Sequence, residues 1–290
     1  MSIVTLPVGE TDGALAPALD VAERLLAGRR IAVLTGAGVS TDSGIPDYRG
    51  AGAPERRSPM QFASFLGDER ARQRYWAGSH LGWEHFSSVT PNAGHRALAD
   101  LEARGVATGV ITQNVDGLHA RAGSRRVVEL HGAMRHVFCL ECGQSFARSD
   151  IAERMRRDNP WLGDPDAVQI GPDGDVEVEH VARMVIPVCT VCGGTLKPDV
   201  VFFGEFVPTT VFAAARAMLA RSDALLVAGS SLVVNSGIRL LDQAAKRRIP
   251  IVIVNRGETR GDRRASLKID AGTSEVLSAL ADRLSHRPLR

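Results

Sequence analysis

The sequence predicts an α/β fold in which a Rossmann-like, doubly wound parallel sheet is joined to a small zinc-binding and helical second domain. Three observations lead to this prediction. Short apolar runs alternate with helical patterns over most of the 290 residues. Two stretches, residues 50–90 and 136–198, interrupt the alternation. The second stretch contains all four cysteines, arranged as two C-x-x-C pairs.

Six apolar runs predict buried parallel strands, because strands that helices cover on both faces are apolar throughout rather than alternating. They span residues 31–34, 106–111, 127–130, 224–228, 249–254 and 267–269. Helical patterns occupy residues 18–27, 93–104, 211–221, 236–247 and 274–284. Pro91-Asn92 is a suitable start, and Gly105 a suitable stop, for the second helix. The alternation is typical of a doubly wound sheet.

The interruptions divide the chain into a large and a small predicted domain. The first has helical periodicity without a clear strand, and the second is rich in cysteine and turn residues. Residues 1–17 are then an N-terminal extension, and 18–56, 92–135 and 199–290 the Rossmann-like domain. Residues 57–91, a helical module, and 136–198, a zinc-binding module, form the small domain.

The cysteine spacing predicts a structural zinc site. Cys139 and Cys142 form the first pair, Cys189 and Cys192 form the second, and each pair runs into glycine. Four thiolates close a tetrahedral coordination sphere, so one zinc ion per chain would have no position left for water or substrate. Two disulfides or free thiols are the alternatives. The N-terminus shows no basic segment followed by an apolar run, which favours a reducing compartment and therefore zinc.

The charge distribution argues against a nucleic-acid-binding or membrane protein. The formal net charge is +2, and the arginine pairs are scattered among acidic residues instead of forming a basic stripe. No window is apolar enough to span a bilayer. We therefore expect a cytoplasmic protein with no specific nucleic-acid partner and no membrane partner.

The first predicted strand ends in a glycine turn that could hold a cofactor phosphate. Gly36 and Gly38 permit close backbone approach, and the N-terminus of a following helix would attract a pyrophosphate. The dinucleotide-binding fingerprint has a third glycine where Thr41 stands, and the next glycine is Gly44. The turn alone is equally compatible with an ordinary strand–helix connection.

The second predicted strand is followed by polar residues at the edge where open α/β sheets bind ligands. Gln113 and Asn114 carry amides that can recognise a ribose or an amide, and Asp116 can accept a hydrogen bond from a carboxamide. A capped turn, with Asp116 at a helix N-terminus, is the alternative.

The next three strand ends add to this edge. His131 follows the third strand and is placed to act as a general base. Residues 229–231 and 255–257 follow the fourth and fifth strands and could hold the adenosine half of a dinucleotide. Each is an ordinary turn when considered alone, so the argument rests on five strand ends converging on one edge.

In this order the motifs resemble the sirtuin family of NAD-dependent protein deacylases. The resemblance covers about residues 18–285 and rests on 36–49, 112–116, 130–132, 197–205 and 229–231, with both cysteine pairs. Residues 72–76, 82–83, 122–126 and 172–175 are similar to class II, the branch that contains the mitochondrial lipoamidase-type sirtuin. The resemblance implies a Rossmann-type NAD-binding domain beside a small zinc and helical domain.

The resemblance also implies a role for each matching position. His131 would be the catalytic base. Asn114 would also be catalytic and, with Asp116 and Ile45, would hold the ribose and carboxamide of the nicotinamide half. The remaining NAD-binding positions would be Gly36, Ala37, Gly38, Ser40, Thr41, Gly44, Pro46, Asp47, Tyr48, Arg49, Gln113, Val115, Gly229, Ser230, Ser231, Asn255, Arg256, Gly257 and Thr273.

The reaction that the resemblance implies consumes NAD as a co-substrate. The acyl-lysine carbonyl oxygen attacks the ribose as nicotinamide leaves, and His131 takes a proton from a ribose hydroxyl. The first step gives an alkylamidate, the ribose hydroxyl then attacks the amidate carbon, and water completes the transfer. The products are free lysine, nicotinamide and O-acyl-ADP-ribose, and zinc only holds the structure. The acyl-lysine protein substrate would bind as an extended strand in the interdomain cleft, between residues 200–203 and 231–234.

The acyl group and the reaction type have alternatives. A succinyl-specific branch of the family has a tyrosine and an arginine three apart after the cofactor loop. Residues 50–60 contain Arg56 and Arg57 but no tyrosine, which favours lipoyl, another long or cofactor-like group, or acetyl. Protein mono-ADP-ribosyl transfer from the same NAD site is the alternative function. His131 argues against an NAD sensor without turnover. The missing third glycine argues against a dehydrogenase.

Overall fold

The computed structural model describes residues 4–7, 15–47, 59–162 and 181–284. The strands in these ranges are β1 Val4–Pro7, β2 Ile31–Thr35, β3 Ala107–Thr112, β4 Val127–Glu129, β5 Gly132–Cys139, β6 Ser145–Ala147, β7 Leu196–Val200, β8 Ala224–Ala228, β9 Ile251–Val254 and β10 Leu267–Asp270. Seven form one parallel sheet in the order β1-β10-β9-β8-β2-β3-β4. Three form an antiparallel sheet in the order β6-β5-β7.

All six predicted strands are present in the parallel sheet, and no end differs from the prediction by more than two residues. Every residue of β2, β8 and β9 is buried, as expected for strands that helices cover on both faces. The seventh strand, β1, was not predicted, because it lies in the stretch assigned to an N-terminal extension. It pairs with β10 at the edge of the sheet, where Val4 lies opposite Leu267.

Helices cover both faces of the parallel sheet. The helices in the described ranges are α1 Leu15–Leu26, α2 Phe62–Gly67, α3 Glu69–Ser88, α4 Ala93–Ala103, α5 Leu118–Arg121, α6 Arg148–Asp158, α7 Thr209–Ala220, α8 Asn235–Lys246 and α9 Thr273–Leu284. Side chains of α1, α4 and α9 share one apolar core with the sheet, and those of α7 and α8 share a second core on the other face. The predicted doubly wound arrangement is confirmed.

Helix α4 begins and ends where its sequence signals predict. The Asn92 side chain accepts a hydrogen bond from the backbone N–H of His95 (3.2 Å), and the His95 ring lies 3.4 Å from the Asn92 backbone nitrogen. This reciprocal arrangement satisfies two N–H groups that a helix N-terminus otherwise leaves unpaired. Gly105 follows the helix with φ of 76°, a conformation that glycine adopts without steric cost.

The small antiparallel sheet packs with α2, α3 and α6 around an apolar core of its own. Arg148 at the start of α6 is fully buried in this region. Its guanidinium lies 5.1 Å from the centre of the Trp76 ring and 5.8 Å from that of Trp83, and it donates a 2.8 Å hydrogen bond to the Ser79 carbonyl oxygen. Burial lowers the pKa of Arg148 to about 10, so the guanidinium stays charged at neutral pH. Aromatic faces and a carbonyl thus compensate a buried cation.

No helix in the part of the chain that the structure describes is both long enough and apolar enough to cross a membrane.

Candidate active site

A cavity of about 1590 Å³ opens at the carboxyl ends of the parallel strands. It lies over the boundary between β2 and β8. The chain adds β3 and β4 on one side of β2, and later adds β8, β9 and β10 on the other side. Such a switch point is where doubly wound sheets bind ligands. The volume exceeds the roughly 300–1,000 Å³ of a typical small-ligand site.

The structure brings the predicted site residues together around this cavity. Those that line it are Gly36, Ala37, Gly38, Ser40, Thr41, Gly44, Ile45, Pro46, Asp47, Gln113, Asn114, Val115, Asp116, His131, Gly229, Ser230, Ser231, Asn255, Arg256, Gly257 and Thr273. Tyr48 and Arg49 lie outside the described residues, as do Arg56 and Arg57. Segments that follow six of the parallel strands, β2, β3, β4, β8, β9 and β10, therefore contribute to one site.

The glycine turn after β2 packs directly against the end of β8. The Gly38 backbone N–H donates to the Gly229 carbonyl oxygen at 2.9 Å, and a Cβ atom at Gly36 would lie 2.8 Å from the same oxygen. Gly229 has φ of 65°, and a Cβ there would approach the Val39 nitrogen to 2.3 Å. Glycine is required at these positions because two backbone segments meet with no room for side chains.

The segment after the glycine turn differs from the prediction. Two short 3-10 helices, Ala37–Val39 and Thr41–Ser43, follow β2 in place of one regular α-helix. Thr41, which stands where the fingerprint has its third glycine, donates its hydroxyl to the Gly38 carbonyl oxygen (3.2 Å), and Thr273 at the start of α9 donates to the same oxygen (3.0 Å). The turn is thus fixed by threonine hydroxyls.

The polar residues after β3 form a hydrogen-bonded cluster. The Ser40 hydroxyl donates to Asp116 Oδ2 (2.7 Å) and accepts from Asn114 Nδ2 (3.0 Å). The second carboxylate oxygen of Asp116 accepts from the Leu118 backbone N–H at 2.9 Å, which fixes the turn before α5. Gly117, and not Asp116, is the N-cap of that helix. Burial raises the pKa of Asp116, although these hydrogen bonds oppose the shift. The cluster presents amide and carboxylate groups whose positions are set before any ligand binds.

The hydrogen bonds of His131 fix its tautomer. Nδ1 lies 2.8 Å from the Gln113 carbonyl oxygen, which can only accept a hydrogen bond, so Nδ1 carries the proton. Nε2 is then the acceptor, and the Ser236 hydroxyl donates to it at 2.9 Å. Burial lowers the pKa of His131, while the Gln113 carbonyl opposes the shift. At neutral pH the ring is therefore an uncharged base with its lone pair held by a serine hydroxyl.

Ser236 was not identified from the sequence. It lies in the first turn of α8, 105 residues after His131, and is almost completely buried. The sequence around Ser236 indicates only the start of a helix, and no motif links this serine to the histidine that follows β4. The nearby pair of buried histidines, His95 and His119, was also missed. Their rings lie 4.8 Å apart behind Ser40 and Thr35.

The four cysteines converge as predicted. Cys139 Sγ lies 3.5 Å from Cys192 Sγ, and Cys142 Sγ lies 3.7 Å from Cys189 Sγ. All four sulfur atoms lie within 4.8 Å of one another, and none is in a disulfide. A tetrahedron of Zn–S bonds of about 2.3 Å has edges of about 3.8 Å, so the cluster fits a zinc ion. The zinc would bind at the far end of β5 from His131.

Residues 36–236, which include the glycine turn, His131 and the cysteine cluster, match the Sir2 family. The chain belongs to the Sir2 family. It is 55% identical over 268 residues to "NAD-dependent protein deacetylase 1" of Mycobacterium avium (strain 104), covering 91% of this chain and 95% of that protein. It is 50% identical over 285 residues to "NAD-dependent protein deacetylase 1" of Streptomyces coelicolor (strain ATCC BAA-471 / A3(2) / M145), covering 97% and 93%.

Solved structures of the Sir2 family have the same fold. One, described as "Structural Basis for the Mechanism and Regulation of Sir2 Enzymes", has a TM-score of 0.73 and 33% identity, covering 92% of this chain and 98% of that chain. Another, described as "Sir2-p53 peptide-NAD+", has a TM-score of 0.74 and 31% identity, covering 89% and 95%.

Two segments of this Sir2-family chain form an open groove along the cavity. Residues 200–203 leave β7 on one side, and residues 231–234 lead into α8 on the other. Phe203, Val233 and Val234 are each more than 40% exposed, and Phe206 is 92% exposed. Exposed apolar side chains along two extended segments are typical of a surface that binds an extended peptide.

A buried ion pair supports one side of the groove. Lys197 in β7 is 2% exposed and lies 3.1 Å from Glu205, whose carboxylate also accepts the Phe202 backbone N–H at 2.8 Å. The Lys197 ammonium lies 4.5 Å from the centre of the Phe202 ring. Burial lowers the pKa of Lys197, and the carboxylate of Glu205 opposes that shift. The pair holds the 200–205 segment in a fixed conformation.

Proposed function

We propose that this Sir2-family protein is a cytoplasmic NAD-dependent protein-lysine deacylase that transfers the acyl group to ADP-ribose and releases nicotinamide. One observation carries the proposal. His131, a neutral base of fixed tautomer, lines the same cavity as the Asn114–Asp116 cluster and the two segments of the peptide groove. A base, a cofactor site and a peptide site meeting in one cavity is what this two-substrate reaction requires.

NAD would supply the ADP-ribose acceptor and a nicotinamide leaving group. The glycine turn and residues 229–231 and 255–257 would hold its adenosine and phosphate end, since they border the cavity over the β2–β8 switch point. Asn114 and Asp116 would orient the ribose and carboxamide of the nicotinamide half. Their mutual hydrogen bonds through Ser40 reduce the reorganisation needed on binding.

His131 would accept a proton from a ribose hydroxyl at Nε2, the ring nitrogen that is free of hydrogen in this tautomer. Ser236 would yield that lone pair to the ribose hydroxyl when the substrates are bound, and would hold the ring in place until then. The lowered pKa of His131 keeps the base form dominant at neutral pH, because the charged form is disfavoured by burial.

The acyl-lysine substrate would bind as an extended strand between residues 200–203 and 231–234. The backbone of both segments would pair with the peptide, and the acyl-lysine side chain would enter the cavity towards His131. We propose that acetyl and lipoyl-type groups are the acyl groups that the enzyme removes most efficiently. The apolar lining formed by Met60, Tyr75 and Phe202 on the small-domain side is consistent with such groups.

The proposal is tested by mass spectrometry after incubation with NAD and peptides bearing acetyl-, lipoyl-, biotinyl-, myristoyl- or succinyl-lysine. O-acyl-ADP-ribose is the expected product, and the fastest peptide identifies the acyl class. The His131→Ala variant is expected to fold and bind NAD but to form no O-acyl-ADP-ribose. ADP-ribosylated protein in place of that product would favour ADP-ribosyl transfer, and no NAD consumption would contradict both reactions.

A further inference from the structure

The peptide groove continues beyond the catalytic cavity into a cleft between α7 and α8. Phe212 and Arg216 lie one helical turn apart on α7, and Arg239 lies one turn into α8. All three border the same cavity as His131. The Arg239 guanidinium lies 4.3 Å from the centre of the Phe212 ring, which holds it at the mouth of the cleft.

Both arginines lack an acidic partner. Arg216 and Arg239 are exposed, and neither forms an ion pair with any residue that the structure describes. Two carboxylates on neighbouring segments are engaged elsewhere: Glu205 binds Lys197 at 3.1 Å, and Asp242 binds Arg264 at 2.6 Å. The positive charge at this end of the groove is therefore uncompensated in the free protein.

A third arginine extends the positive charge along the groove. Arg260 Nη1 donates at 3.3 Å to the Val233 carbonyl oxygen and at 3.3 Å to Asn235 Oδ1. Both acceptors are neutral, so the charge of Arg260 also remains uncompensated by them. It lies beside the segment that would pair with the peptide backbone. A bound strand therefore passes cationic groups on the side formed by residues 233–239.

We propose that this cleft is a specificity site for an acidic side chain of the substrate, close in sequence to the acyl-lysine. The inference rests on the proposed deacylase function and specifies its substrate class. A strand advances about 3.3 Å per residue, so a residue a few positions from the acyl-lysine reaches the cleft. Guanidinium groups bind carboxylates through paired hydrogen bonds, and the Phe212 ring restricts the conformations of Arg239 in advance.

The test uses acetyl-lysine peptides that differ only by Glu, Gln or Lys at one position, scanned from four residues before to four residues after the acyl-lysine. The ratio of kcat/KM for the Glu and Gln peptides is measured for the wild type and for Arg239→Gln and Arg216→Gln. At the responsive position we expect each arginine to account for about a 2- to 5-fold preference, equivalent to about 0.5–1 kcal/mol. The preference should decrease as NaCl concentration rises.

The matched control is Arg104→Gln. Arg104 is an exposed arginine at the end of α4, on the opposite face of the sheet. Its substitution should leave the Glu-to-Gln ratio at the wild-type value. Arg239→Glu should transfer the preference to the Lys peptide, because the charge at the mouth of the cleft is reversed.

The outcomes separate this inference from the proposed function. Turnover of the Gln peptide with equal ratios at every position, in wild type and variants, would overturn the acidic specificity and leave the deacylase function standing. A ratio that falls equally in Arg104→Gln would also overturn it, since general charge steering would then explain the preference. Absence of turnover with every peptide would overturn the proposed function and this inference together.

Discussion

Replacing Ser236 with alanine removes the only hydroxyl that donates to His131 Nε2 among the described residues, at 2.9 Å. Loss of a neutral hydrogen bond of this kind costs about 0.5–1.5 kcal/mol. If that cost falls on the orientation of the imidazole, the rate of the step that needs the base decreases about 2- to 12-fold. NAD affinity should change little, because among the described residues the Ser236 hydroxyl bonds His131 and not the glycine turn or the Asn114–Asp116 cluster.

The pH dependence provides a second, independent measurement. A hydrogen bond donated to Nε2 is possible only when the ring is neutral, so it stabilises the neutral form and lowers the pKa of His131. Its removal should raise that pKa towards the ordinary value. Because the neutral form is the active base, activity decreases as the pH falls through this pKa. The acidic limb of the kcat/KM profile should therefore move to higher pH in Ser236→Ala.

The assay compares two reactions of the same enzyme. Formation of O-acyl-ADP-ribose requires the base, whereas exchange of labelled nicotinamide into NAD requires only departure and return of nicotinamide. We expect deacylation by the variant to slow about 2- to 12-fold while exchange is retained. Ser222→Ala is the matched control, since its buried hydroxyl donates to the Met218 carbonyl oxygen at 2.9 Å, far from the cavity. An equal loss of both reactions, with an unmoved pH limb, would refute a positioning role for Ser236.

Three further predictions concern the framework of the site. Cys189→Ser should abolish stoichiometric zinc and lower the Tm, because structural zinc contributes directly to folding energy; an unchanged Tm with an intact small domain would contradict a structural ion. Gly229→Ala should raise the KM for NAD and cost about 1–3 kcal/mol, since the added Cβ would meet the Val39 nitrogen at 2.3 Å. Gly257→Ala is the control for this variant. Gly257 also has a positive φ of 73°, but no atom lies within 4 Å of an added Cβ, so this variant measures backbone strain without a collision. His95 is buried with a pKa of about 4, so the unfolded state binds more protons below pH 6.5. The urea midpoint should therefore fall between pH 6.5 and 4, and less so in His95→Gln.

Local sequence patterns were sufficient to predict those strands and helix ends that do not depend on contacts with distant parts of the chain. Apolar runs give the buried strands, and Asn92 with Gly105 gives the ends of α4, because both signals depend only on neighbouring residues. The edge strand Val4–Pro7 was missed for the opposite reason. Four residues form a strand there because the edge of β10 offers backbone groups to pair with, which no local pattern reveals.

The residues of the candidate site also differ in whether the local sequence indicates them. His131 was identified from its place after a strand, since the carboxyl edge of a parallel sheet is a known ligand-binding location. Ser236 supplies the partner of its Nε2 atom but belongs to a helix start 105 residues away. The contact exists only because β4 ends and α8 begins at the same cavity. A side chain whose function depends on two distant elements meeting gives no signal in either local sequence.

The position of the cysteine cluster explains why a structural metal belongs in this catalytic protein. Strand β5 begins immediately after His131 and ends at Cys139, while β7 begins shortly after Cys192 and ends at the groove. The two strands pair with Cys139 opposite Leu196 at one end and Gly132 opposite Val200 at the other. A cation that fixes the far end of this ribbon therefore limits movement of the base and of the groove segment together. The expected consequence of zinc loss is weaker peptide binding before weaker NAD binding, because the glycine turn lies on the other sheet.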